Sequence, residues 1–308
     1  MRFFGGGDWF RANLHTHTTK SDGKLTAEEA AARYRDAGYN ILAVTDHWLA
    51  GTATSVDGDF MILSGIELAS SSYFSAGSLE CWHIVGLGVP EGLVQESPRL
   101  DAPPQDLVDE IKKAGGFAVL AHPAWSLNTP EQILSLRGVD AVEIWNTQSA
   151  LPYNPDRADS SHILDPVFNA GRFFTLLASD DSHRYMKEAC VASTMIQAGD
   201  LTPESIFSAI RSGLSYATTG PRFRQIEIDG GRVCVETSTP CTAACVMTNH
   251  PWLRGAVDCI FGSDGEPEER TSFELPVGEN TSFLRVTVID RNGRRAWSNP
   301  IKGLFKNS

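Results

Sequence analysis

The stretch ANLHTHTTKSDG, residues 12–23, sets His15 and His17 two positions apart and follows them with an Asp22-Gly23 turn. Side chains two apart on an extended strand point to one face. Both imidazoles therefore aim at one place, while Leu14 and Thr16 face the other way. After the turn, Thr26 and Glu29 have the spacing of a capping box ahead of EEAAARYRDA, and Gly38 is placed to stop that helix. The local reading is a strand, a polar turn and a helix.

That unit recurs. FRANLHTH, NILAVTDH, FMILSGIEL, CWHIVGLG, FAVLAHP, AVEIWN and RFFTLLASDDSH are seven short runs rich in β-branched and apolar residues. Several are nearly all apolar, as strands buried on both faces should be. Helical patterns with readable ends lie between them. Pro103 and Pro104 open PQDLVDEIKKA, which Gly115 and Gly116 end, and Thr129-Pro130-Glu131 and Thr202-Pro203-Glu204 repeat a start signal. The rhythm predicts βα units around a parallel sheet or barrel, and seven runs favour the barrel.

From about residue 222 the pattern becomes short strands and turns such as Asp229-Gly230-Gly231 and Arg291-Asn292-Gly293. The expected organisation is an α/β barrel over residues 1–221 and a small all-β sandwich over 222–308. The net charge of −12 lies wholly in the first unit, because residues 222–308 hold eleven basic and eleven acidic residues. Such a surface argues against a long nucleic acid as partner. The opening MRFFGGGDWFRANLH has no leader pattern, no apolar run has membrane length, and the six cysteines form no C-x-x-C pair. A cytoplasmic protein with reduced thiols is expected. The oligomeric state is not legible.

Several runs end in potential ligands: His15 and His17, His47, Glu67, His122, and Asp181 with His183. In a βα barrel the C-terminal strand ends converge on one mouth, where active sites sit. Imidazoles and carboxylates delivered there suit zinc, iron or manganese. A lone histidine in an apolar strand is usually a packed core residue; this many at strand ends form a metal cluster. His83 fits less neatly, because it opens its run. Asp22, in the turn before the first helix, has a turn-only reading as the lesser alternative. Asp180 should point away from Asp181 across the strand, and neither His162 nor His250 is given a role.

Taken together, NLHTHTTKSDG, VTDH, GIEL, HIVGLG, AHP and SDDSH resemble, in order, the motifs of the PHP family, named for polymerase and histidinol phosphatase. The resemblance covers roughly residues 10–220. IRSGLSYATTGP and the β-rich tail ending AWSNPI look like stand-alone PHP metallohydrolases. The resemblance implies a distorted seven-stranded βα barrel holding two to three divalent ions of manganese, iron or zinc. It gives His15, His17, Glu67 and Asp181 to one ion. Glu67, His83 and His122 fall to a second, and Asp22, His47 and His183 to a third. The family often has His where this chain has Asp22.

The expected activity is hydrolysis of a phosphoester in a small phosphorylated molecule, such as a nucleotide or an oligonucleotide end. A metal-bridging hydroxide is the expected nucleophile, bridged or oriented by Glu67 and Asp181. Lys20, Asn146 and Arg184 are candidates for contacting the substrate, and Trp48 and Trp125 for stacking on it. The same ligands would serve a carbamate or carboxylic ester. A third reading makes the β-sandwich a glycan- or protein-binding module supported by the barrel.

Overall fold

The computed structural model describes residues 2–4, 8–71, 81–94, 102–152, 154, 156–250 and 252–302. The fold is mixed α/β, with five α-helices among the described residues and two sheets. Strands Asp8–Asn13, Ile41–Val44 and Phe60–Ser71 are parallel neighbours, as are Phe117–Leu120, Ala141–Asn146 and Thr175–Ser179. Cys81–Leu87 joins the two groups and runs antiparallel to both. The all-parallel expectation fails at this strand for a simple reason. Only nine residues, 72–80, separate it from its predecessor, whereas a parallel crossover needs a dozen or more.

The sheet curls until its ends meet. Beyond the first strand, Thr16 bridges Ser182 beyond the seventh. The Asp181 N–H donates to the His15 carbonyl and the His17 N–H to the Ser182 carbonyl, both at 3.0 Å. The result is barrel-like. Helix Ala27–Asp36 has the expected capping box of Thr26 and Glu29, and Thr129 with Gln132 forms another ahead of Pro130–Ser135.

Alternation along the strands feeds two cores. Ile41, Met61, Leu63, Val85, Phe117 and Val119 form one cluster with Ile206 and Ile210 of helix Pro203–Arg211. Ile66, Ile84, Leu120, Val142 and Leu176 form another with Leu107, Ile111, Ile133, Leu164 and Phe168 from the helices. Both clusters are apolar and buried, leaving the polar strand ends as the place where chemistry can sit.

Asp8–Asn13 also pairs with Ser193–Ala198, and the same sheet continues through Ser215–Thr218, Arg295–Ser298, Phe283–Ile289 and Ala243–Thr248. Residues on both sides of position 221 therefore share one hydrogen-bonded sheet. A second sheet, made of Arg2–Phe3, Phe223–Asp229, Arg232–Cys241 and Arg270–Pro276, packs over it. Between them lie Phe4, Met195, Tyr216, Val235, Phe273 and Val286. The strand Arg2–Phe3 was not foreseen, because two residues carry no periodicity. Trp297 packs on Trp145 at 5.8 Å. Arg285 holds Asp165 of helix Ser161–Asn169 through bonds of 2.8–3.1 Å.

No helix among the described residues is long and apolar enough to cross a membrane. All six cysteines are free thiols.

Candidate metal centre

The nine residues singled out as ligands come together at one end of the curled sheet. His15, His17, His47, His122, Asp181 and His183 follow the ends of parallel strands, and Glu67 lies within Phe60–Ser71. His83 owes its place to the reversed strand. Because Cys81–Leu87 runs the other way, its first residues lie beside the last residues of its neighbours. His83 accordingly pairs with Ala69, and its carbonyl accepts from Ala121 N–H at 3.1 Å.

Glu67 is the hub. Oε1 lies 2.9 Å from His83 Nδ1 and 3.3 Å from both His15 Nε2 and His122 Nε2. Oε2 lies 3.0 Å from His47 Nδ1 and 3.2 Å from His17 Nε2. One carboxylate is thus shared by five imidazoles. Asp181 Oδ1 is 3.1 Å from His17 Nε2 and 3.4 Å from His15 Nε2. Asp22 stands at the rim, its side chain 55% exposed, with Oδ2 at 3.4 Å from His183 Nε2 and 3.9 Å from His47 Nε2. His122 and Asp181 both have positive φ, 28° and 55°. Non-glycine residues are held there at a cost of ~1–3 kcal/mol, typically at functional sites.

The donors fit divalent cations. His15 and His17 present Nε2 atoms to each other at 3.2 Å. Asp181 Oδ1 and His47 Nδ1 are buried without a properly directed hydrogen bond. Four overlapping groups have ligand atoms within 4.8 Å of one another: His17, Asp22, His47 and His183; His15, His17 and Glu67; His15, His122 and Asp181; and Glu67, His83 and His122. Imidazole and carboxylate donors so gathered suit zinc, iron or manganese.

Outer contacts fix the rings. His15 Nδ1 is 3.0 Å from Glu143 Oε1, and His122 Nδ1 is 3.1 Å from Ser126 Oγ. Asp46 accepts from Thr18 N–H, the Thr18 hydroxyl and the Ser21 hydroxyl, all at 2.7 Å, and so shapes the loop between His17 and Asp22. Gly23 packs flat on that loop; a Cβ there would lie 2.2 Å from the His17 carbonyl oxygen. Glu143 was missed in the sequence. Glu143 and Asn146 are three apart and would face opposite ways on a regular strand, but the register shifts between Glu143 and Trp145. That bulge turns both inward. Asn146 Nδ2 then donates to Glu143 Oε2 at 3.0 Å and to Asp181 Oδ2 at 3.2 Å. The available signal was a carboxylate in the middle of an otherwise apolar run. Replacing Glu143 by Gln should weaken metal binding ~10–100-fold, read by competition with a chelator. Unchanged affinity would remove Glu143 from the centre.

Without metal the cluster holds protons. Burial opposes charge on His17, yet Asp181 and Glu67 outweigh it and raise its pKa from 6.5 to about 9. Burial is likewise outweighed at His83, where Glu67 raises the pKa to about 10. Against burial, His83, His15 and His47 hold Glu67, and His15, His183 and His17 hold Asp181, well below the usual carboxylate range. A raised folded pKa stabilises the metal-free chain fully below the unfolded value of 6.5. That contribution disappears as pH rises through about 9 to 10. Metal must displace these protons. Zinc binding at pH 7 is therefore expected to release protons, seen as heats that scale with buffer ionisation enthalpy. Affinity should fall between pH 8 and pH 6, and heats equal in all buffers would contradict it.

Asp22, His47, Glu67, His83, His122, Asp181 and His183 line a cavity of about 230 Å³, together with Trp125, Gln148, Ser149 and Asn154. None of the three residues suggested for substrate contact is among that lining. The Lys20 ammonium donates to the Gly51 carbonyl. Asn146 is buried beneath the ligands. Arg184 has its N–H on Glu188 Oε1 at 2.7 Å. Trp48 stacks on His47 at 5.1 Å. Asp180 does point away, accepting from Tyr34, Thr147 and the Ala192 N–H.

No protein-family model and no curated protein matches the sequence. Among solved structures, a two-domain protein from Bacteroides vulgatus containing a predicted PHP-like metal-dependent phosphoesterase aligns over 99% of this chain and 90% of its own, with a TM-score of 0.50 and 12% identity. An amidohydrolase from Chromobacterium violaceum aligns over 57% of this chain and 89% of its own, with a TM-score of 0.40 and 18% identity. The chain thus shares its fold with a PHP-like two-domain protein along almost its whole length, in agreement with the resemblance read from its motifs.

Proposed function

We propose that the protein is a metal-dependent hydrolase that cleaves a phosphoester in a small phosphorylated substrate. The observation that carries this reading is Glu67, one buried carboxylate shared by five imidazoles at the floor of a cavity. Two or three divalent cations held there would ionise water at neutral pH and offset charge on the phosphoryl oxygens. The chain's own part is to fix the ligands. Glu67 and Asp181 supply the shared anionic donors. Glu143 and Ser126 orient His15 and His122, and Asn146 ties Glu143 to Asp181. His17, Asp22, His47 and His183 form the rim position. The seven consecutive strands and the Thr16–Ser182 bridge support a distorted seven-stranded barrel as the scaffold. The −12 charge speaks for a small substrate rather than a long nucleic acid, and the six free thiols for a cytoplasmic setting.

Metal analysis of the purified protein, followed by a substrate panel, tests the reading. p-Nitrophenyl phosphate, bis-p-nitrophenyl phosphate or a nucleoside monophosphate should be turned over. A chelator should abolish that turnover, and manganese, iron or zinc should restore it. Cleavage of p-nitrophenyl acetate alone would move the activity to carboxylic esters and carbamates.

A further inference from the structure

One wall of the cavity holds no metal ligand and is carried by the turn after strand Ala141–Asn146. Gln148 and Ser149 line it from the short helix Gln148–Ala150, and Asn154 lines it a little further on. Asn154 Nδ2 donates to the Gln148 carbonyl, and Asn154 Oδ1 accepts from Trp125 Nε1, each at 3.0 Å. Half-buried Trp125 is thereby fixed to the same wall. The chain then returns along the strand it left. Asp159 forms an antiparallel bridge with Trp145. The Asn146 N–H donates to the Ala158 carbonyl at 3.1 Å, and the Ser160 N–H to the Ile144 carbonyl at 2.8 Å. The Arg157 N–H donates to the Ser149 carbonyl at 3.2 Å and ties the returning arm to the turn.

This wall is gripped from the far end of the sequence. Arg295 and Trp297 are two apart on strand Arg295–Ser298 and share a face, while Ala296 between them packs into the core of the sandwich. Arg295 Nη1 donates to Asp159 Oδ2 at 2.9 Å, on the returning arm. Trp297, 1% exposed, stacks on Trp145 of the departing strand with the ring planes 28° apart. Both feet of the loop are therefore met by one short strand. A wall borne on a turn has few apolar contacts of its own and keeps its shape through such support.

We infer that Arg295, with Trp297 beside it, is a positioning residue for the site. It holds the wall of Trp125, Gln148, Ser149 and Asn154 where the organic portion of the substrate lies, while the metals take the phosphoryl group. The inference rests on the phosphoester reading above and adds the part played by the C-terminal strands. Exposure argues for position over stability. Arg295 is 41% exposed and Asp159 26%, and so open a pair contributes little to stability.

The test compares two non-hydrolysable probes on the zinc-loaded protein by calorimetry: inorganic phosphate, which engages the metals, and phenylphosphonate, which also reaches the wall. In Arg295→Met, phenylphosphonate affinity should fall about 10-fold, with phosphate affinity and zinc content unchanged. Arg295→Lys, which keeps the charge, should restore most of the loss. Hydrogen exchange should show the Asn146, Ser149 and Arg157 amides less protected in Arg295→Met. Asp159→Asn cuts the same tie from the other side, keeps an acceptor for the Ser161 N–H, and should give the same pattern. Equal losses for the two probes, no loss for either, unchanged protection of those amides, or an unaltered protein that binds neither probe would overturn the assignment. The expected pattern combined with no phosphoester turnover would refute the hydrolase reading while leaving the role of Arg295 standing.

Discussion

Glu67→Gln should lose metal and turnover together, with activity down about 1000-fold or more, beyond the ~10–100-fold typical when an outer partner of a ligand is removed. The carboxylate oxygens are within 3.3 Å of nitrogens from five histidines. An amide keeps the shape but replaces one anionic oxygen with an N–H₂ donor, which faces imidazole nitrogens that need an anion or a cation. Two independent readouts decide the matter. Elemental analysis should show at least one metal lost per chain, and the raised pKa values of His15 and His83, which Glu67 helps to hold up, should fall back in the metal-free variant. A variant with full metal content and near-normal turnover would displace Glu67 from the centre of the mechanism.

The largest effect on stability is expected far from the ligands. Arg285, with 3% of its side chain exposed, pairs with Asp165, 19% exposed, across the contact between strand Phe283–Ile289 and helix Ser161–Asn169. Burial holds the Asp165 carboxyl above its ordinary value even with the guanidinium beside it. Arg285→Met strands that carboxylate in a poorly solvated place, and such a cut costs about 3–5 kcal/mol. Denaturant unfolding should show it as a lower midpoint with little change in slope. The double variant Arg285→Met with Asp165→Leu should recover most of the loss, since removing both partners of a buried pair is often near neutral. A single-variant loss below about 1 kcal/mol would show that the pair behaves as a surface bridge.

Much of the site was legible because ligand chemistry tolerates few residue types and strand ends announce themselves. His15-x-His17, His47, His122 and Asp181-x-His183 each close an apolar run. Helix starts were equally plain, since a capping box such as Thr26 and Glu29 lies within four residues. What stayed hidden depends on partners distant in sequence. Strand direction around Cys81–Leu87 is set by its neighbours, although the nine-residue gap before it carried a hint. Glu143 becomes a site residue only through a bulge. Gln148 and Asn154 line the cavity from the turn after Ala141–Asn146, where no periodicity marks them. Lys20 and Arg184 were nominated for substrate contact by nearness in sequence to ligands, which does not set direction in space, whereas Asn146 was nominated because it ends its strand, and there it does reach Asp181 at 3.2 Å.

The pairing of the chain's beginning with its far end bears on how the molecule is made. Arg2 pairs with Glu227, and Asp8–Asn13 pairs with Ser193–Ala198. On a ribosome adding roughly 5–20 residues per second, the first strand waits about 10–45 seconds for these partners to emerge. During that interval the apolar edge presented by Trp9 and Phe10 has no strand to cover it on that side. The acidic excess of the first 221 residues gives such nascent chains a like charge, which opposes their association.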